Sequence, residues 1–264
     1  MLRCPICQKE LSLHQNTYSC ENNHSFDCSK DGYVNLLLKQ SAKSFGDSIE
    51  MLQARHLFFE KDYYHPLKEK ILSIIRQLPS SVLLDSGCGE GYYTNYFAKN
   101  LPSSIKFYAT DISKYAIRLA AKEKTKVNYI VASNQRLPFQ STSFDCILNL
   151  FAPIDLKEYN RILKRDGYLI TVTSGPKHLY ELKEILYETP IENKVQIIEM
   201  NNLKLFQQIP LYFSFTLDSK ELIQSLFMMT PYYYRTSPKD KEKLEDYTTL
   251  TTHADFMIQV YKKD

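Results

Sequence analysis

Three of the chain's seven glycines fall within Asp85-Ser-Gly-Cys-Gly-Glu-Gly91, directly after the apolar run Val82-Leu-Leu84. Glycine tolerates positive φ and lets a backbone approach a ligand closely. A buried strand that runs into a glycine-rich turn and then a helix is the α/β device for gripping a nucleotide. Here the spacing is G-x-G-x-G with Asp85 two residues ahead of it, unlike the G-x-G-x-x-G of nicotinamide enzymes. Asp111 ends the next apolar run and lies 20 residues beyond Gly91, about where a carboxylate meets ribose hydroxyls. This combination points to S-adenosylmethionine, a ligand with no pyrophosphate to seat on the helix. The rival reading is a structural glycine turn at a strand end.

The sequence around that turn alternates. Strand-like stretches at 82–86, 105–111, 127–131, 144–150 and 168–173 are separated by helical stretches at 92–100, 113–124 and 155–164. Strands alternating with helices predict an α/β fold with a mostly parallel, doubly wound, Rossmann-like sheet. Before it, helical periodicity runs from Ile49 to Leu78 with a break near Tyr63–Pro66. After it come a helix at 179–187, extended stretches at 203–217 and 251–262 that suit an antiparallel pair on one sheet edge, and a helix at 219–229. An aromatic knot, Pro231-Tyr-Tyr-Tyr-Arg235, follows that last helix.

Residues 1–37 read differently. They hold four of the six cysteines, Cys4, Cys7, Cys20 and Cys28, and show little helical periodicity. Cys4-x2-Cys7-x12-Cys20-x3-His24 matches the spacing of a structural zinc site, with four protein ligands and no open position for catalysis. So short a segment needs such a staple, because it buries too little apolar surface to fold alone. Cys28, four residues past His24, competes for the fourth position. The expected organisation is a zinc module over 1–37, a linker and helices over 38–78, with Lys39–Asp47 as the polar linker, and a cofactor-binding domain over 79–264.

Charge narrows the partners little. The formal net charge is +3, less than the heavy basic excess of a dedicated nucleic-acid-binding domain. Any polyanion contact is therefore local. Arg3, Lys9, Lys30, Lys39 and Lys43 are offset by Glu10, Glu21, Asp27, Asp31 and Asp47. No run approaches the roughly 18 apolar residues of a membrane span, and the start lacks a signal-peptide hydrophobic region. We therefore expect no membrane partner and a cytoplasmic location, where cysteines bind metals or stay reduced.

Taken in order, these segments resemble one family. They are Cys4-Pro-Ile-Cys7 with Cys20 and His24, Lys30-Asp-Gly-Tyr-Val-Asn-Leu-Leu37, and Gly46-Asp-Ser-x-Glu-Met-x-x-Ala-Arg55. Asp85–Thr94, Ala132-Ser-x-x-Arg-Leu-Pro-Phe139, Gly175-Pro-x-His-Leu179 and Met229-Thr-Pro231 with Arg235 follow. The chain resembles the bacterial 23S rRNA (guanine-N1-)-methyltransferases, whose branches include one linked to tylosin resistance. The resemblance implies that the zinc module recognises RNA. It implies methylation of N1 of one guanine in a 23S rRNA hairpin, and a homodimer with a shared RNA cleft. By position it assigns Tyr64, Gly89, Glu90 and His178 to S-adenosylmethionine.

Read from the residues themselves, Asp85 suits the cofactor's ammonium, Gly87 and Gly89 a close backbone approach, and Asp111 the ribose. Asn134 and Leu137 follow the third strand, where an amide and an apolar wall suit adenine. Asn149 and Phe151, after the fourth strand, occupy the acceptor-facing position. Tyr232, Tyr233 and Arg235 are candidates for stacking on a guanine drawn out of its hairpin. No residue stands out as the acceptor of the N1 proton. Two other classes fit less of the chain: a small-molecule methyltransferase with a purely structural zinc module, and a zinc-ribbon adaptor whose second domain no longer turns over.

Overall fold

The computed structural model describes residues 1–38, 48–195, 197–199 and 202–264. The expected linker Lys39–Asp47, with Lys39 and Lys43, lies outside them. The chain opens with a three-stranded antiparallel meander, β1 (Ser12–His14), β2 (Thr17–Ser19) and β3 (Ser25–Asp27). Gln15, at φ 55, makes the tight turn between the first two. A two-residue strand, β4 (Val34–Asn35), then joins a different sheet.

Two helices follow, α1 (Ile49–Glu60) and α2 (His65–Gln77). The break between them falls where the sequence places it. Asp62 takes φ 56, and Pro66 sits in the first turn of α2, where its missing N–H costs nothing. The alternating segment then runs β5 (Val82–Ser86), α3 (Tyr92–Asn100), β6 (Lys106–Asp111), α4 (Lys114–Ala121), β7 (Val127–Val131), β8 (Phe144–Leu150), α5 (Leu156–Ile162) and β9 (Leu163–Ser174). The helix expected over 155–164 stops at Ile162, because Leu163 already pairs with Phe144 of β8. The C-terminal part comprises α6 (Tyr180–Leu186), β10 (Leu203–Leu217), α7 (Lys220–Met228), α8 (Pro238–Glu242) and β11 (Leu250–Lys263).

The main sheet has the order β10-β11-β9-β8-β5-β6-β7-β4. Strands β4 to β9 run parallel, while β11 lies antiparallel to β9 and β10 antiparallel to β11. From β5 the chain winds outward through β6 and β7, then crosses to β8 and β9 on the other side. This reversal opens a crevice at the carboxyl ends of β5 and β8, the place where such sheets bind ligands.

The N-terminal module is docked on this sheet. Leu2 bridges to Phe139, the N–H of Arg3 donates to Pro138 O at 3.0 Å, and that of Gln140 donates to Met1 O at 2.9 Å. Leu2, Leu11, Val34 and Leu36 share one apolar cluster with Ile130, Phe139 and Phe144. That shared burial, together with β4 on the sheet edge, supplies apolar contact that the short segment lacks by itself.

Candidate functional site

The glycine turn hangs from the end of β5. Gly87, Gly89 and Gly91 all take positive φ, at 87°, 55° and 82°. A Cβ on Gly87 would lie 2.3 Å from Cβ of Ala152, so this glycine is required by packing. A Cβ on Gly89 would meet nothing within 4 Å. Open space therefore lies beside the backbone at the middle of the turn, and the turn is pinned from behind. The N–H groups of Gly87 and Cys88 donate to Thr110 O at 2.8 and 3.0 Å. Asp111 accepts from Gly89 N at 2.9 Å on one oxygen and from Ser113 N at 2.8 Å on the other.

Asp85 is 1% exposed. One carboxylate oxygen accepts from the Thr94 hydroxyl at 2.5 Å, and Oδ1 is buried with no hydrogen-bond partner. Burial pushes this carboxyl up to about 7, the Thr94 hydroxyl opposes the shift, and the charge of Asp111 adds to it. A buried carboxylate oxygen without a donor calls for a cation, and the cofactor's ammonium is one. Glu90 is in a related state. Its Oε1 lies 3.2 Å from Nδ1 of His56, Oε2 is buried without a partner, and burial raises its carboxyl.

An aromatic wall faces the turn. Tyr64 is buried against Phe58 and Phe256, each with ring centroids at 5.0 Å, and its ring is 6.3 Å from that of His178. Burial lifts its hydroxyl well above the usual tyrosine value. The His178 ring lies 4.8 Å from Phe256. Its Nδ1 accepts from the N–H of Asp255 at 3.3 Å, which leaves the proton on Nε2. Burial, helped by the charge of Lys183, drops this imidazole to about 3. His178 is thus a neutral donor at ordinary pH. Gly175 makes its setting possible, since a Cβ there would fall 2.2 Å from Oδ1 of Asp255.

Phe151 stands at the carboxyl end of β8 with φ 60 and 44% exposure. Positive φ on a bulky residue costs about 1–3 kcal/mol and gathers at functional sites. Its ring lies 5.2 Å from Phe256 and 6.3 Å from Tyr93. Phe256 carries no signal in the sequence beyond being aromatic, and Tyr93 none beyond its place in the Asp85–Thr94 segment. His56 of α1 carries none either.

The remaining candidates are not all gathered here. Asn134 is at the site: its Oδ1 accepts from Ser86 Oγ at 2.9 Å and its amide donates to Pro153 O at 3.1 Å. Leu137 has no exposed surface and packs with Phe139 and Phe144, so it backs the crevice instead of facing it. Asn149 is buried, with its amide on the Tyr159 hydroxyl at 2.7 Å, and it holds the strand end. Tyr232 packs against Phe227 and Tyr187, and Lys241 Nζ lies 4.0 Å above the Tyr233 ring. Both rings are partly buried, and of the three tyrosines Tyr234 is the exposed one, at 66%. Arg235 is exposed beside them.

A second site lies in the meander. The donor atoms of Cys4, Cys7, Cys20 and His24 all fall within 4.8 Å of one another. Cys7 and Cys20 sulfurs are 3.6 Å apart, and Nδ1 of His24 is 3.5 Å from the sulfurs of Cys4 and Cys20. A zinc tetrahedron with bonds of about 2.3 Å to sulfur and about 2.0–2.1 Å to nitrogen has edges of roughly 3.8 and 3.6 Å. The set therefore fits the ion closely. Two tight knuckles create it, with Gln8 and Asn23 at φ 65 and 59. The backbone N–H of Lys9 leads the effects that pull the Cys7 thiol down to about 6, toward the thiolate that binds metal. Cys28 is outside the set. Its backbone bridges to Val34 and donates to Asn16 O at 2.8 Å, and burial raises its thiol. Of the basic residues nearby, Lys9 pairs with Glu21 at 2.7 Å.

Comparison with known proteins adds three kinds of finding. A zinc-ribbon family described as RlmA, N-terminal, matches residues 2–44, and a methyltransferase domain family matches residues 84–171. The chain is 33% identical to a candidate 23S rRNA (guanine-N1-)-methyltransferase of Bacillus subtilis, YxjB, over 258 residues, which is 92% of this chain and 90% of that protein. It is also 33% identical to the 23S rRNA (guanine(748)-N1)-methyltransferase of Streptomyces fradiae over 190 residues, 70% of this chain and 67% of that one. Among solved structures, the YcgJ protein of Bacillus subtilis superposes with a TM-score of 0.50 at 14% identity, covering 75% of this chain and 98% of its own. That likeness concerns the fold alone. Among the described residues no helix is long and apolar enough to cross a membrane.

Proposed function

The chain belongs to the 23S rRNA (guanine-N1-)-methyltransferases, and on that premise we propose that it transfers the methyl group of S-adenosylmethionine to N1 of one guanine in a 23S rRNA hairpin. The observation that carries the reading is the pairing of two features. One is the unmet Asp85 oxygen beside the open turn at Gly89, and the other is a preformed zinc set docked on the same sheet. When bound, the cofactor supplies an electrophilic methyl on a sulfonium. Everything else falls to positioning, which accounts for much of the rate in such displacements.

In this reading Asp85 takes the cofactor's ammonium, Gly87 and Gly89 let the backbone pass close, and Asp111 accepts the ribose hydroxyls. Asn134 reaches the adenine end, while Tyr64, Glu90 and His178 line the methionine side. His178 donates through Nε2; held at about 3, it is too weak a base to keep the N1 proton. Phe151, turned outward by its left-handed backbone, offers a face for the flipped guanine. The zinc module grips the hairpin, and the reaction takes place in the cytoplasm, on ribosomal RNA. A two-fold dimer would give the hairpin a shared cleft; light scattering with and without the RNA tests this.

The deciding experiment incubates the protein and labelled cofactor with unmodified 23S rRNA and maps the product by primer extension. N1 methylation blocks the pairing edge, so extension should stop at one guanine. Label found only in small molecules, or no stop, would overturn the reading.

A further inference from the structure

Strands β10 and β11 run on where β9 stops. Phe256 of β11 pairs with Ser174, the last residue of β9, and residues 250–255 continue beyond it, paired with residues 212–217 of β10. At about 3.4 Å per residue this two-stranded ribbon projects roughly 20 Å past the end of β9. Side chains alternate between its two faces. Ala254, Phe256, Ile258 and Val260 join the apolar cluster that holds Phe58 of α1 and Leu67 of α2. His253, Asp255, Met257, Gln259 and Tyr261 therefore share the other face, and Tyr261 packs in the cluster that holds Leu2 and Leu11 of the zinc module. The ribbon thus shows His253 on the side of the sheet where the module is docked.

On that face the Tyr212 ring stacks on the His253 ring, with centroids 4.8 Å apart and planes 12° from parallel. His253 is held in place by Glu181. Its Nδ1 donates to Glu181 Oε1 at 2.6 Å, while its backbone N–H and the Thr252 hydroxyl donate to Oε2 at 3.1 and 2.8 Å. Tyr212 is the open member of the pair, 56% exposed. Cross-strand contact accounts for the stack, but such a contact needs no carboxylate to fix the inner ring. Asp255, the cross-strand partner of Tyr212, links this face to the crevice, because its N–H donates to His178 Nδ1 at 3.3 Å. The pair thus shares a sheet face with the zinc module and a hydrogen-bonded neighbour with the crevice. The acids beside it, Glu181 and Asp255, disfavour a phosphate. A nucleobase, which is uncharged and binds through its face, suits a flat, open ring pair with acidic neighbours.

We propose that the Tyr212–His253 pair is a stacking platform for an unpaired base of the rRNA hairpin, a base other than the one methylated. The inference rests on reading the chain as an rRNA methyltransferase. Filter binding of the full-length, zinc-loaded protein to unmodified 23S rRNA tests it, together with methylation kinetics. Tyr212→Ala should weaken RNA binding and raise KM for the RNA by about tenfold, the scale of one base stacked on an aromatic ring. Its kcat, its affinity for S-adenosylmethionine and its melting temperature should match the wild type. Tyr212→Phe should bind RNA within about twofold of the wild type, and Tyr212→Leu should lose about as much as Tyr212→Ala, because stacking needs a ring and not merely an apolar group. The slope of log affinity against log salt should stay at the wild-type value in all three, since no phosphate contact is lost.

Unchanged RNA affinity in Tyr212→Ala would overturn the inference. So would a matching loss of cofactor affinity or melting temperature, which would make the pair a structural contact. Full recovery by Tyr212→Leu, or a change of oligomeric state in light scattering, would assign the face to a protein partner or a second copy of the chain and would overturn it as well. If the wild type neither bound nor methylated 23S rRNA, the functional reading itself would fall, and the inference with it.

Discussion

The zinc module and the cofactor crevice prepare for their ligands in opposite ways. In the module, four donors already stand near the corners of a tetrahedron, fixed by two knuckles a few residues long. In the crevice, the ligand is announced by what has been left undone: Asp85 Oδ1, Glu90 Oε2 and the Tyr93 hydroxyl are buried without partners. The first arrangement binds by chelation, and its geometry is set locally. The second rests on desolvated polar groups that gain partners when charge-matched groups bind. A site of the second kind can take up and release its ligand in every turnover, whereas a closed four-ligand site holds its ion throughout.

The largest effect should come from breaking the first side of this comparison. Replacing Cys4 and Cys7 by Ser, or stripping the metal with a chelator, should lower rRNA methylation by about a hundredfold or more, since structural zinc supplies the folding energy of such modules. Cofactor affinity should stay within about threefold, because Asp85 and the turn owe their geometry to β5, β6 and Thr94. Parallel loss of both activities would mean that the shared cluster around Phe139 makes the two regions one unit.

Next in size is Asp85→Asn, for which calorimetry should show cofactor binding weakened roughly ten- to a hundredfold, the value of a charge-assisted hydrogen bond in a buried site. The same carboxyl sets a pH signature. Its folded value is about 7, against about 3.9 in an unfolded chain. Between those values the folded protein binds more protons than the unfolded one, so stability without cofactor should fall as pH rises from about 4 to about 7 and then level off. Cofactor binding needs the carboxylate, so affinity should climb toward pH 7. In Asp85→Asn both trends should flatten.

Two glycine variants sharpen the comparison within the crevice. Gly87→Ala places a methyl 2.3 Å from Ala152 at φ +87, and thermal unfolding should report a loss of about 2–4 kcal/mol from strain plus overpacking. Gly89→Ala meets open space at φ +55 and should cost only about 1–2 kcal/mol of stability. Its larger effect should be on cofactor affinity, because the new methyl occupies the approach to the turn. The smallest effect belongs to Cys28→Ser, which should leave zinc content unchanged and shift stability by less than about 1 kcal/mol. A drop in metal content would return Cys28 to the ligand set.

Most of the framework was legible in the sequence for one reason: it is built from short-range rules. The periodicity of residues 82–174, the Pro66 break and the G-x-G-x-G turn each depend on a few neighbouring residues. So does the pairing of Cys4 with Cys7. Cys28 stayed a rival at that level because spacing does not say which way a thiol faces. In the structure the donor atoms that cluster are those of Cys4, Cys7, Cys20 and His24, without Cys28, and β4 itself was too short to leave a pattern. Leu137 and Asn149 show the opposite limit, since being next to a strand end in sequence did not place either side chain in the open.

The sequence by itself determined a Rossmann-like sheet, a glycine turn able to take S-adenosylmethionine, and a Cys/His array of zinc-site spacing, because backbone conformation and chelate spacing are properties of local sequence. Tertiary structure alone decided that Tyr64, His178 and Phe256 form one wall, that Phe151 turns outward, and that one oxygen of Asp85 is buried without a partner. Those facts depend on which polar groups are buried and which go unmet, and only the packed chain assigns burial and partners to a side chain.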